Sequence, residues 1–212
     1  MQNRPRTRYK TQEEAAARHA AIRGRPVTAR RGPADRPGLP VLGVDVGGVV
    51  IDRVADGTDT SFFGDDPMST PAVRGVFTAL AALTPAFDGR VYIVSKAGPR
   101  TAQRTRDWMA VHRFAERTGV PEENLHFVRE RPDKAPVAAR LGVTHFVDDR
   151  LDVLDHLESV PHRYLFTGGL GGEEPPASVP GWAVRADTWR KLTGMILVTL
   201  EGRGSGPEGG GR

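Results

Sequence analysis

The stretch from Val41 to Asp52, VLGVDVGGVVID, constrains the chain more than any other. Val41 to Val46 is apolar and rich in β-branched residues, is interrupted by one acid at Asp45, and stops at Gly47-Gly48. Such a run reads as a buried parallel strand that ends in a carboxylate. In an open α/β sheet the carboxyl ends of the strands border the ligand crevice, so Asp45 is aimed at a site and the two glycines let backbone approach a ligand. Taken alone, the same pattern also suits an aspartate that caps a turn. The downstream part of the chain decides between the two.

Three later apolar runs end in polar groups of the same kind. Val91–Val94 leads into Ser95-Lys96-Ala97-Gly98 and a helix over about 99–118, where hydroxyl, amides and helix N-terminus are all donors for an anion. Ser95 as a plain helix cap is the other reading. Leu125–Val128 is a short strand, followed by a charged loop and a helix that Lys134 opens and Gly142 stops. Thr144–Val147 ends in Asp148-Asp149-Arg150. Two adjacent carboxylates at about 4.5 Å and an effective dielectric of about 20 repel by on the order of 4 kcal/mol, so such a pair is kept wet or placed around a metal. A helix over 151–159, strands at 163–166 and 182–185, the latter at an edge, and a helix over about 187–200 complete the pattern. Before them, Ser69-Thr70-Pro71 starts a helix that runs through Leu83.

The chain has 212 residues, 38% of them hydrophobic and 26% charged, which suits one globular domain with loose ends. With no cysteine it has no disulfide, thiolate metal site or cysteine nucleophile. No apolar run reaches a membrane span and no secretory core is evident, so a soluble cytoplasmic protein is expected. Residues 1–40 hold ten Lys/Arg against Glu13, Glu14 and Asp35 and read as a disordered basic arm, a solvated tail or a polyanion-binding one. Since the whole chain carries only +4, the remainder is net acidic, which argues against nucleic acid on the folded body. Residues 41–200 form the folded domain and 201–212 a flexible glycine-rich tail. Phe62 and Phe63, in a polar loop, suit a substrate flap or a hydrophobic plug. His112, His126, His145 and His162 lack ligand spacing and read as ordinary residues.

Asp45, Ser95, Lys134 and Asp148-Asp149, in that order at the ends of successive β-α units, resemble the four motifs of the haloacid dehalogenase (HAD) superfamily over about Val41 to Leu157. The resemblance implies a three-layer α/β sandwich with a mostly parallel Rossmann-like sheet and a Mg²⁺-dependent phosphohydrolase. Asp45 would be the nucleophile that becomes an aspartyl phosphate. Asp45, the Gly47 carbonyl and Asp149 would hold Mg²⁺, with Asp148 in support. Ser95 would bind a phosphoryl oxygen and Lys134 would neutralise nucleophile and phosphate, with Lys96 assisting. The substrate would be a phosphorylated small molecule, a nucleotide or a macromolecule, and the DDR ending faintly resembles the 5′(3′)-deoxyribonucleotidase branch. One departure is Gly47, where phosphatases of this superfamily usually carry an acid/base aspartate; Asp52 is a candidate substitute. The other is the cap, which short connections reduce to a minimum. The reading of another class is a pseudo-enzyme that binds a phosphorylated ligand or protein without turnover. A sugar-kinase-like fold, which LGVDVGGVV also resembles, lacks room for its second domain.

Overall fold

The computed structural model describes residues 38–53, 64, 66–169, 171 and 174–202. Most of the basic arm, the flap residues Phe62 and Phe63, and nearly all of the glycine-rich tail lie outside them. Six strands form one sheet: β1 (Leu42–Val44), β2 (Val91–Lys96), β3 (Leu125–Val128), β4 (His145–Asp148), β5 (His162–Phe166) and β6 (Ala183–Ala186). Their order is β3-β2-β1-β4-β5-β6 and every pairing is parallel. The order reverses between β1 and β4, the place where a doubly wound sheet opens its crevice.

Among the described residues six α-helices accompany the sheet: α1 (Val76–Ala86), α2 (Pro99–Val111), α3 (Phe114–Thr118), α4 (Lys134–Leu141), α5 (Leu151–His156) and α6 (Trp189–Glu201). Side chains alternate across the strands and supply two cores. Leu42, Val44, Ile93, Val147 and Tyr164 pack with α1, α2, α3 and α6 on one face. Tyr92, Val94, Phe146 and Leu165 pack with α4 and α5 on the other. The result is the three-layer α/β architecture expected from the sequence, with a sheet that is parallel throughout. No helix among the described residues is long and apolar enough to cross a membrane.

Two helices differ from the sequence pattern. The helix expected over 99–118 breaks at Arg113, which adopts φ +55° and leaves α2 and α3 as separate pieces. The break turns Phe114 into the core, where it is 1% exposed, while His112 stacks on Trp108 at 4.0 Å and bonds the Met68 carbonyl at 3.0 Å. The helix expected from about residue 71 begins only at Val76. Ahead of it the backbone is committed to the turn after β1, since Asp52 N–H donates to Pro71 and Val73 N–H donates to Val50. Gly75, at φ +86°, then starts the helix.

Gly43 faces Phe146 across the β1–β4 ladder, and a Cβ there would lie 2.5 Å from the phenyl ring. Gly43→Ala is therefore expected to cost about 1–3 kcal/mol through overpacking. Equilibrium denaturation checks this, and a smaller penalty in the Phe146→Leu background identifies the ring as the cause.

Candidate active site

The site follows from the neighbouring of β1 and β4. Val44 pairs with Val147, and the Asp45 amide continues the ladder by donating to the Val147 carbonyl at 2.9 Å, so Asp45 and Asp148 leave the sheet side by side. The loop after β3 delivers the start of α4 to the same point. There the Lys134 ammonium lies 2.8 Å from Asp45 Oδ1 and 2.7 Å from Asp148 Oδ2, with the lysine only 2% exposed. Asp148 Oδ1 also accepts from the Arg150 amide at 3.0 Å.

Beyond Asp45 the chain curls into a tight turn in which the Val46 carbonyl accepts from the amides of Val49, Val50 and Ile51. Gly48 takes φ +69°, and a Cβ on it would stand 2.5 Å from Asp149 Oδ2, so glycine is what lets the turn touch that carboxylate. The Trp189 indole N–H of α6 donates to the Val49 carbonyl at 2.8 Å and pins the turn from below. Arg53, just past the turn, donates from Nη2 to Asp149 Oδ2 in a buried ion pair.

Asp45, Gly47, Ser95, Lys96, Lys134 and Asp149 all line one cleft of about 160 Å³. Ser95 is buried at the end of β2, whereas Lys96 is exposed. Asp148 stands behind them, wholly buried under Lys134. Phe62 and Phe63 fall outside the described residues. Asp52 is not among the residues that line the cleft, and its carboxylate accepts from the Arg53 amide at 2.9 Å. Arg53, Thr101, Thr105, Arg131 and Arg150 are lining residues that the sequence pattern does not single out. Arg53 follows an aspartate in a polar stretch, and only the curl of the turn brings it back to Asp149.

Among solved structures the chain is similar to a haloacid dehalogenase-like family hydrolase from Xanthomonas campestris, with TM-score 0.53 and 11% identity over 79% of this chain and 99% of that one. It is similar also to a HAD family hydrolase from Deinococcus radiodurans R1 with bound phosphate and sodium, at TM-score 0.53 and 14% identity over 76% and 97% of the two chains. The fold is HAD-like. No protein-family model and no curated protein matches the sequence.

In this HAD-like frame the three carboxylates Asp45, Asp148 and Asp149 bring one oxygen each to within 4.8 Å of the others. The Lys134 ammonium contacts Asp45 and Asp148, and the Arg53 guanidinium contacts Asp149. A set of hard carboxylate oxygens this close together fits a small divalent cation such as Mg²⁺. Burial pushes the Asp148 carboxyl up to about 6 against the pull of Lys134, and Asp45 adds to the rise. Burial also lifts Asp149 well above the usual carboxylate range, with Asp148 and Asp45 adding repulsion. Lys134 is drawn down by burial, but its two carboxylates outweigh this and raise it.

Both raised carboxyls hold their proton more tightly folded than unfolded; for Asp148 that contribution is present below the unfolded value of 3.8 and lost as pH rises through about 6. Metal-free protein is therefore expected to lose thermal stability across that window, and Asp148→Asn to flatten the loss. A divalent cation binds the ionised forms, so Mg²⁺ should raise Tm more at pH 7 than at pH 5. Thermal melts in EDTA and in Mg²⁺ at the two pH values check both expectations.

Proposed function

We propose that the chain is a Mg²⁺-dependent phosphohydrolase that acts through an aspartyl phosphate on Asp45. The observation that carries this reading is the buried Lys134 ammonium bridging Asp45 and Asp148 in a cleft that Ser95 also lines. A structural ion pair has no need of a cleft, and a nucleophile has. Asp45, the Gly47 carbonyl and Asp149, supported by Asp148, would hold Mg²⁺, which supplies positive charge against the incoming phosphate dianion.

The side chains divide the remaining work. Lys134 holds Asp45 in place, its ammonium 2.8 Å from Asp45 Oδ1. One Asp45 oxygen attacks phosphorus, a P–O bond to the leaving group breaks, and the bonding pair departs on that oxygen. The Ser95 hydroxyl donates to a phosphoryl oxygen of the transferred group. Water then attacks the aspartyl phosphate, releasing inorganic phosphate and restoring Asp45. Gly47 offers no proton to the departing oxygen. General acid catalysis is worth typically about 10²–10⁴-fold, so alkyl esters should be poor substrates and leaving groups stable as anions good ones.

Acetyl phosphate and p-nitrophenyl phosphate meet that condition. Turnover of either is expected with Mg²⁺, is expected to vanish in EDTA, and should fall by at least about 10³-fold in Asp45→Asn, which removes the nucleophile. Gly47→Asp should raise the rate on an alkyl ester such as glycerol phosphate more than on acetyl phosphate, because only the former needs an acid. The missing acid also favours a second reading, a pseudo-enzyme that binds a phosphorylated ligand. Phosphate binding in calorimetry without turnover of any of these compounds would establish it.

A further inference from the structure

We infer that Arg53 is the positioning residue that holds Asp149 ready for a divalent cation, and that Gly171, in the connection between β5 and β6, in turn holds Arg53. The inference rests on the proposed Mg²⁺-dependent reading and names what sets the cation affinity of that site.

The three carboxylates of the cluster are not served alike. Lys134 reaches Asp45 Oδ1 and Asp148 Oδ2, whereas Asp149 has its ion pair with Arg53. That pair is shut away from water, its arginine and aspartate side chains 9% and 2% exposed. Asp149 also supplies one of the three carboxylate oxygens that lie within 4.8 Å of one another. A carboxylate offers about four lone-pair sites, so one bond accepted from Arg53 Nη2 leaves room on Asp149 for a cation. What the bond removes is rotation. Ligating carboxylates are fixed by partners of this kind, and an ion gains from ligands that need no reordering when it arrives.

The arginine is itself gripped. Its amide donates to the Asp52 carboxylate at 2.9 Å, which sets where the side chain starts. Along its length it meets two glycines in left-handed backbone, Gly171 at φ +61° and Gly48 at φ +69°. A Cβ on Gly48 would stand 3.1 Å from Arg53 Nε. One on Gly171 would stand 3.0 Å from Arg53 Cβ and 3.1 Å from the Arg53 carbonyl oxygen, and the three nearest atoms it would meet all belong to Arg53. Gly171 is not among the residues that line the cleft. The chain of contacts therefore runs from the β5–β6 connection through Arg53 to Asp149, and a residue outside the cleft governs how one of its carboxylates is held.

Arg53 is also a cation, and its repulsion of a bound ion would act the other way. Orientation and repulsion predict opposite signs for its removal, which makes the sign decisive. Bound and fixed in a buried pair, Asp149 needs no rearrangement to serve as a ligand; released from it, the carboxylate has no other ion pair among the described residues to hold it.

The test is calorimetric titration of the full chain with Mg²⁺ at neutral pH, without substrate, at a temperature where far-UV circular dichroism shows each variant folded. Arg53→Met keeps the length and apolar stem of the side chain while removing its donors, and should lose at least about tenfold in Mg²⁺ affinity. Arg53→Lys, which restores a charged donor without the planar fork, should fall between Arg53→Met and the natural chain. Gly171→Ala should lose at least about threefold, and less than about twofold in the Arg53→Met background, because its effect passes through the arginine. Unchanged or tighter binding in Arg53→Met overturns the inference, as do equal losses from Gly171→Ala in the two backgrounds. If Arg53→Met does not fold, undiminished affinity in Arg53→Lys and Gly171→Ala overturns it. If the natural chain binds Mg²⁺ and the variants bind it equally well, the Mg²⁺ reading stands and this one falls; if the natural chain binds none, both fall. If the variants lose affinity as expected and the natural chain turns over neither acetyl phosphate nor p-nitrophenyl phosphate, the role of Arg53 stands and the enzymatic reading falls.

Discussion

Lys134 is buried between Asp45 and Asp148, and each of the three comes from a different element. Two carboxylates forced side by side by the β1–β4 ladder could not both stay ionised out of water without its ammonium group. Breaking a buried pair of this kind by removing one partner costs about 3–5 kcal/mol, because a charge is left uncompensated. The clamp accordingly fixes the first residue of α4 against the sheet and, with it, the loop that carries Arg131. Geometry needed for packing and geometry needed for chemistry coincide at this point.

A second constraint is the closeness of backbones around Gly48. A Cβ on Gly48 would collide with Asp149, and one on Gly169, in the loop between β5 and β6, would lie 2.2 Å from the Gly48 carbonyl oxygen. The turn after β1 is thus enclosed by the end of β4 on one side and by the β5–β6 connection on the other. Such contact leaves no room for side chains, and Gly169, which looks like linker composition in the sequence, is a packing residue.

Much of this is legible in the sequence because it lies in local patterns. Strand ends at Asp45, Ser95 and Asp148 are marked by apolar runs that stop at polar residues, and the runs are continuous because both faces of the sheet are buried. Lys134 stands out as the first residue of a helix stopped by Gly142. The features that escape the sequence depend on distant contacts. Arg113 adopts a left-handed conformation with no glycine to announce it, because burying Phe114 outweighs a backbone cost of about 1–2 kcal/mol. The delayed start of α1 reflects bonding of residues 71–73 to the turn after β1, which local propensity does not encode. Arg53 reaches Asp149 across 96 positions, and nothing in the neighbourhood of Arg53 hints at that.

The bond from Trp189 to Val49 spans 140 positions and ties α6 into the turn that follows Asp45. A chain synthesised from its N-terminus displays Asp45 well before it acquires Trp189. Contacts of such separation carry a loop-closure cost and form late. The turn beside the acidic cluster is therefore fastened only once Trp189 has been added and α6 has docked against it.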